Sequence, residues 1–172
     1  AEVFGTLSAA FAQRSIYTPL STPDTGSPQA MRQNLVQAKR LLAEAGWQVQ
    51  DGILTNQEGR QFRFDIMLVS PAFERVMAGY VKNLHKLGIQ ASYRTLDATL
   101  YVERLKSFDF DMIVASYGQS QSPGNEQRNY WHSSSADKMG AQNYAGIRSA
   151  AIDHLVDKII YAKTKDELIA GS

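Results

Sequence analysis

The sequence contains no cysteine, which removes disulfides, thiolate metal sites and cysteine nucleophiles while leaving the compartment open. It also lacks any apolar run near the ~20 residues that span a bilayer. The first ten residues have neither the charged start nor the apolar middle of a signal peptide, so an export signal is expected to lie outside this chain. Charge of one sign is missing too: eighteen Lys and Arg stand among seventeen Asp and Glu, a formal net charge of +1. No long-range field then favours a polyanion, and nucleic acid is not an expected partner. Glycine-rich phosphate cradles and the G-x-S-x-G nucleophile elbow do not occur. His85, His132 and His154 are scattered, with no second ligand at metal spacing, so neither a metal nor a cofactor is expected.

What is present is a chain of 172 residues, 44% hydrophobic and 20% charged, enough to bury one sizeable core. Residues 1–30 read as an irregular lead-in, with a short helix and then a loop broken by Pro19, Pro23 and Gly26, and 31–172 as an α/β lobe. Ser27-Pro28 gives a cap and a first-turn proline to a helix carrying Met31, Leu35, Ala38, Leu41, Leu42 and Ala45, closed by Gly46. Trp47 and Val49, the Asp51-Gly52 pair, then Ile53 and Leu54 read as a small hairpin, with Gly59 permitting a second turn. Phe62, Phe64, Ile66 and Leu68 alternate as a strand with one better-buried face. Ser70-Pro71 opens a helix with Phe73, Val76, Met77, Tyr80, Val81, Leu84 and Leu87 on one face, and Gly88 stops it. Ile89, Ala91, Tyr93 and Thr95 predict a second strand. Asp97 caps a helix with Leu100, Tyr101 and Leu105, and Phe108, Phe110, Met112 and Val114 predict a third strand. Thr164 and Glu167 have capping-box spacing for a last helix, which ends after barely one turn, so the chain is expected to be a piece of something longer.

Strand, helix, strand, helix, strand in that order predicts an α/β fold, an open and mostly parallel sheet flanked by helices. In such sheets the ligand crevice lies beyond the carboxyl ends of the strands, which places Ala115 to Trp131 there. That segment is dense in amides and bounded by aromatics. Amides offer donors and acceptors together, so Tyr117, Gln119, Ser120, Gln121, Asn125, Glu126, Arg128 and Trp131 are the candidate ligand-binding residues. A polar surface loop turning at Pro123-Gly124 is the bland alternative. Two catalytic patterns also occur. Asp109 and Asp111, two apart on the expected third strand, would share a face like the carboxylates of a glycosidase, or simply form a solvated face. Ser135 and Lys138 have the serine-x-x-lysine spacing of penicillin-recognising enzymes, but the companion motifs are missing.

Two stretches carry a family resemblance. Ala38-Lys39-Arg40-Leu41-Leu42-Ala43-Glu44-Ala45-Gly46-Trp47, followed by Asp51-Gly52-Ile53-Leu54 and Gly59, resembles the extracellular solute-binding proteins, family 5, that serve oligopeptide and dipeptide importers. Phe108-Asp109-Phe110-Asp111-Met112-Ile113-Val114, with Ser122-Pro123-Gly124-Asn125-Glu126-Gln127-Arg128 behind it, resembles the YejA-type branch. The resemblance implies the C-terminal lobe of a type II periplasmic-binding-protein fold, lacking its N-terminal lobe. It further implies a monomer, exported to the periplasm, that captures a peptide or peptide-like ligand between two lobes and hands it to the permease of an ABC importer without catalysis. Peptide binders of the family place an aspartate for the peptide's amino terminus after this strand, whereas Gly118 to Gln121 holds no carboxylate. That leaves Glu126 as the nearby anion and Arg128 for a ligand carboxylate or phosphate.

Overall fold

The computed structural model describes residues 23, 25–120 and 122–171. Most of the expected lead-in over 1–30, its short helix included, and Gln121 lie outside the described residues. The chain divides into two units, Ala1–Trp47 and Gln48–Ser172.

In the first unit the described element is helix α1 (Pro28–Glu44). Ser27 accepts the Ala30 N–H on its hydroxyl at 3.1 Å, and Pro28 sits where a missing N–H is harmless. Gly46, at φ +85°, ends the helical run.

The second unit starts with a two-stranded hairpin, β1 (Trp47–Gln50) and β2 (Ile53–Asn56), whose first residue still belongs to the first unit. Asp51 and Gly52 turn it with φ of 50° and 82°, the two left-handed residues that a tight hairpin turn of matching twist requires. The main sheet has three parallel strands in the order β4 (Gln90–Thr95), β3 (Arg63–Leu68), β5 (Met112–Ile113). Helix α2 (Glu74–His85), entered through a 3-10 turn at Pro71–Phe73, links β3 to β4. Helix α3 (Ala98–Lys106) links β4 to β5. The two crossovers run in opposite directions along the sheet, so right-handed connections cover its two faces with one helix each.

That cover explains a difference from the expected pattern. Ile66, Met67 and Leu68 are all buried, on both faces of β3, because a central parallel strand has no solvent side. Ser70 caps the 3-10 turn through its hydroxyl, and Asp97 takes the Thr99 and Leu100 N–H groups at 3.0 Å each, as their spacing predicts.

The third strand is shorter than predicted and corrects the reading of Asp109 with Asp111. Phe108 adopts φ +57° immediately after α3; its N–H donates to Leu105 O, and Asp109 N–H donates back to Arg104 O at 2.9 Å. This pair of bonds is the left-handed closure of a helix, here made by a phenylalanine in place of glycine. The chain becomes a strand only at Met112, so Asp109 and Asp111 do not share a strand face. Downstream lie α4 (Glu126–Trp131), a 3-10 turn at Ser133–Ser135, α5 (Ala150–Tyr161) and α6 (Lys165–Gly171). Thr164 caps α6 through the Glu167 N–H at 3.2 Å, and Glu167 reaches back to the Lys163 N–H at 2.7 Å.

Gly88 joins α2 to the hairpin, its carbonyl accepting the Leu54 N–H at 2.8 Å. A Cβ there would lie 2.8 Å from Leu54 N at φ +83°, whereas Gly59, at φ +79°, faces open space. Gly88→Ala is therefore expected to cost roughly 3 kcal/mol and Gly59→Ala about 1 kcal/mol, read as shifts of the urea midpoint at unchanged slope. Equal costs would show that the close approach to Leu54 is unimportant.

Candidate functional site

The candidate segment leaves the carboxyl end of β5 after Ile113, as the parallel order requires. Its first anchor is Tyr117, half-buried in an aromatic cluster. Its ring lies 5.1 Å from that of Tyr130, 4.7 Å from Trp131 and 6.0 Å from Tyr144. Edge-on and tilted pairs of this kind contribute about 0.5–1.5 kcal/mol each beyond burial. Burial, then the neighbouring Tyr144, push the Tyr117 phenol above its ordinary pKa, and the Tyr144 backbone N–H at the phenol opposes them. Tyr117 is thus a neutral hydroxyl at any physiological pH.

Beside the rings lies a chain of amides. Gln127, 5% exposed on α4, accepts the Trp131 indole N–H at 3.0 Å. Its own NH2 donates to Gln119 Oε1 at 2.8 Å and to Glu126 Oε1 at 3.3 Å. Glu126 Oε1 also accepts the Gly124 N–H at 2.8 Å. The Gly124 N–H first, then Glu126's own N–H and the Gln127 amide, hold the Glu126 carboxyl below its ordinary pKa.

The structure therefore brings Tyr117, Gln119, Glu126 and Trp131 together around Gln127. Ser120 folds back on its own turn, donating to Ser122 O at 2.8 Å and accepting the Ser122 N–H at 3.2 Å. Asn125 is exposed at the start of α4 and makes no side-chain cap. Arg128 is directed to Asp157 on α5 at 2.6 Å, so a ligand anion at Arg128 would compete with that carboxylate. Gln121 is outside the described residues.

Three contributors escaped the sequence reading as site residues: Gln127, Tyr130 and Tyr144. Gln127 and Tyr130 stand inside the candidate segment, one residue before and two residues after Arg128. Tyr144 arrives from a separate loop organised by Asn143, 1% exposed, which donates to His132 O and Ile147 O and accepts the Ile147 N–H. The visible signal was the Asn143 to Gly146 turn, closed by Gly146 N–H on Asn143 O at 3.0 Å.

The catalytic patterns are engaged otherwise. Asp109 pairs with Arg104 at 3.3 Å, and Asp111 accepts the Asp65 N–H at 3.0 Å. Both line a charged cavity of about 290 Å³ with Asp65, Arg94 and Arg104, in which Asp65 in turn pairs with Arg94 at 2.6 Å. The buried Ser135 hydroxyl donates to Arg128 O at 2.8 Å. His85 bonds Ala91 O, and His132 accepts the Ser134 N–H. Among the described residues no group of three or more His, Asp or Glu could hold a metal ion, and no helix is long and apolar enough to cross a membrane.

The segment that leaves the carboxyl end of the parallel sheet thus carries aromatics and amides packed and hydrogen-bonded together. Comparison with known proteins shows the family. Residues 7–139 match the model of the bacterial extracellular solute-binding proteins, family 5 Middle. The chain is 44% identical over 156 residues to the y4wM protein of Sinorhizobium fredii, covering 90% of this chain and 24% of that protein. It is 40% identical over 156 residues to the "probable peptide-binding protein YejA" of Agrobacterium fabrum, covering 90% of this chain and 25% of that protein. Among solved structures, the oligopeptide-binding protein AppA of Bacillus subtilis, in complex with a nonapeptide, superposes with a TM-score of 0.68 at 27% identity. That match covers 79% of this chain and 27% of AppA. The chain belongs to family 5 of the bacterial extracellular solute-binding proteins, in its YejA-type branch. It spans about a quarter of the length of the curated relatives it matches.

The lowered pKa of Glu126 fixes the sign of a pH effect. A carboxyl whose folded pKa is depressed contributes stability that is complete above its unfolded value, about 4.3, and lost as pH falls through the folded value. Glu126→Gln is expected to flatten the acid limb of the stability profile, measured as urea midpoints between about pH 3 and 7. An unchanged acid limb would mean that the carboxylate does not order the turn.

Proposed function

We propose that the chain is the ligand-binding part of a periplasmic substrate-binding component of an ABC importer. It captures oligopeptides or peptide-like compounds in a cleft between two lobes and delivers them to the membrane permease. The observation that carries this reading is the amide and aromatic patch at the carboxyl edge of the sheet, in a chain of family 5. Peptides are strings of amide donors and acceptors, and a patch built of amides and a Trp can satisfy them while excluding water. The similarity to a probable peptide-binding protein and to an oligopeptide-binding protein in complex with a nonapeptide supports the ligand class.

On this reading the candidate segment forms one jaw, and contributions from a second lobe complete the site when the two close. The protein acts as a monomer and without turnover. Asp109 pairs with Arg104, Asp111 accepts the Asp65 N–H and Ser135 donates to Arg128 O, so the residues of both catalytic patterns have structural partners, which supports capture without turnover.

The full-length parent, purified under native conditions, is expected to carry a peptide-like adduct identifiable by mass spectrometry. Ligand exchange is expected to change its tryptophan emission, and Trp131→Phe is expected to abolish most of that change. Conversion of an added peptide to product, lost in Asp111→Asn or Ser135→Ala, would overturn capture without catalysis.

A further inference from the structure

Helix α4, the loop of Tyr144 and helix α5 meet at His132. Its N–H closes α4 on Arg128 O at 3.3 Å, directly after Trp131. Its carbonyl accepts the Asn143 side-chain NH2 at 3.2 Å, and Asn143 organises the loop that brings in Tyr144. Its imidazole, 16% exposed, accepts the Ser134 N–H on Nδ1 at 3.0 Å. A ring nitrogen that accepts carries no proton, so this arrangement belongs to a neutral imidazole with its hydrogen on Nε2.

A proton on Nδ1 sets two donors against each other at 3.0 Å. The carboxylate in reach is Asp153 on α5, whose Oδ1 lies 3.8 Å from Nδ1 and accepts the Ser133 N–H at 2.8 Å. The Ser133 N–H, then the Ser133 hydroxyl and the imidazole, hold the Asp153 carboxyl below its ordinary pKa, so its charge is already present when the ring gains one. The other contacts of His132 among the described residues bring no charge to it. Helix α4 offers the Arg128 carbonyl while the Arg128 guanidinium pairs with Asp157, the Asn143 loop offers an amide, and Asp137, beyond the 3-10 turn, pairs with Arg148. Closing the gap to Asp153 draws the ring off Ser134 and the carboxylate off Ser133, and so opens the turn to which Trp131 and the Tyr144 loop are both tied. We infer that His132 is a positioning residue, which holds Trp131 and Tyr144 in the patch while its imidazole is neutral and releases them when the ring is protonated. This rests on the peptide-capture reading above and adds the condition under which the patch keeps its shape.

The test uses the full-length parent protein between about pH 8 and 5, the span over which an imidazole gains its charge. Capture of peptides from a peptic digest of casein, quantified by mass spectrometry, is expected to fall about fivefold across that span, the worth of one hydrogen bond. The near-ultraviolet circular dichroism of the unliganded protein, which reads the packing of Trp131 and the tyrosines, is expected to weaken with it. His132→Asn keeps an oxygen for the Ser134 N–H but takes up no proton, and is expected to remove both falls. Asp153→Asn keeps an acceptor for Ser133 but not the charge that draws the ring, and is expected to move both falls to lower pH. Falls that persist in His132→Asn, or a parent protein that shows none, overturn the positioning role and leave peptide capture standing. No captured peptide at pH 8 overturns peptide capture, while the dichroism of the same samples still decides the role of His132.

Discussion

Strand β5 is held to the sheet through two residue pairs only, Ile66 with Met112 and Met67 with Ile113, and everything after it is aimed by that short ladder. The ladder is lengthened by a side chain. Asp111 accepts the Asp65 N–H where a longer strand would have offered a backbone carbonyl, so the central strand keeps a partner on this side. Ile66, Met67 and Leu68, all buried, fix the other participant, β3, within the core. A segment that leaves such a point has its first few residues set in space before any of its own contacts are made.

Its own contacts then fall into two adjoining layers. Tyr117, Tyr130, Trp131 and Tyr144 make an apolar floor, and Gln127 lies against it with its amide nearly closed to solvent. A buried amide is costly unless its oxygen and its NH2 are used, and here the floor supplies the donor while the loop supplies the acceptors. Leucine at this position would bury as much apolar surface without that demand. The amide instead ties the rim of the loop to the rings, so that polar groups near the surface inherit the rigidity of the aromatic packing.

Local signals made most of the fold legible. Ser27-Pro28, Ser70-Pro71 and Asp97 mark helix starts because each cap is chosen by backbone chemistry within three residues, and the structure has all three. Asp51-Gly52 predicted the hairpin for the same reason. Phe108 misled: its alternation with Phe110 and Met112 mimics a strand, yet it stands at φ +57° in the pair of backbone bonds that closes α3. Apolar periodicity cannot distinguish a strand from a helix closure whose aromatic rings happen to alternate. The segment after β5 was legible from composition and topology. Its internal wiring was not, since Tyr144 and Asp157 approach from loops and helices whose distance in sequence says nothing of their distance in space.

That wiring also decides what kind of force the patch can exert. Its two charged members are turned toward the protein: Arg128 to Asp157, and Glu126 into the Gly124 turn. Beside them stand the neutral carboxamides of Gln119 and Gln127, oriented by their hydrogen bonds. Recognition by oriented dipoles falls off steeply with distance and distinguishes a donor from an acceptor, whereas a point charge attracts any counter-charge in any pose. A loop that ties its charges into its own architecture weakens its long-range attraction, and on the proposed reading its oriented amides are the groups that would tell one ligand atom from another.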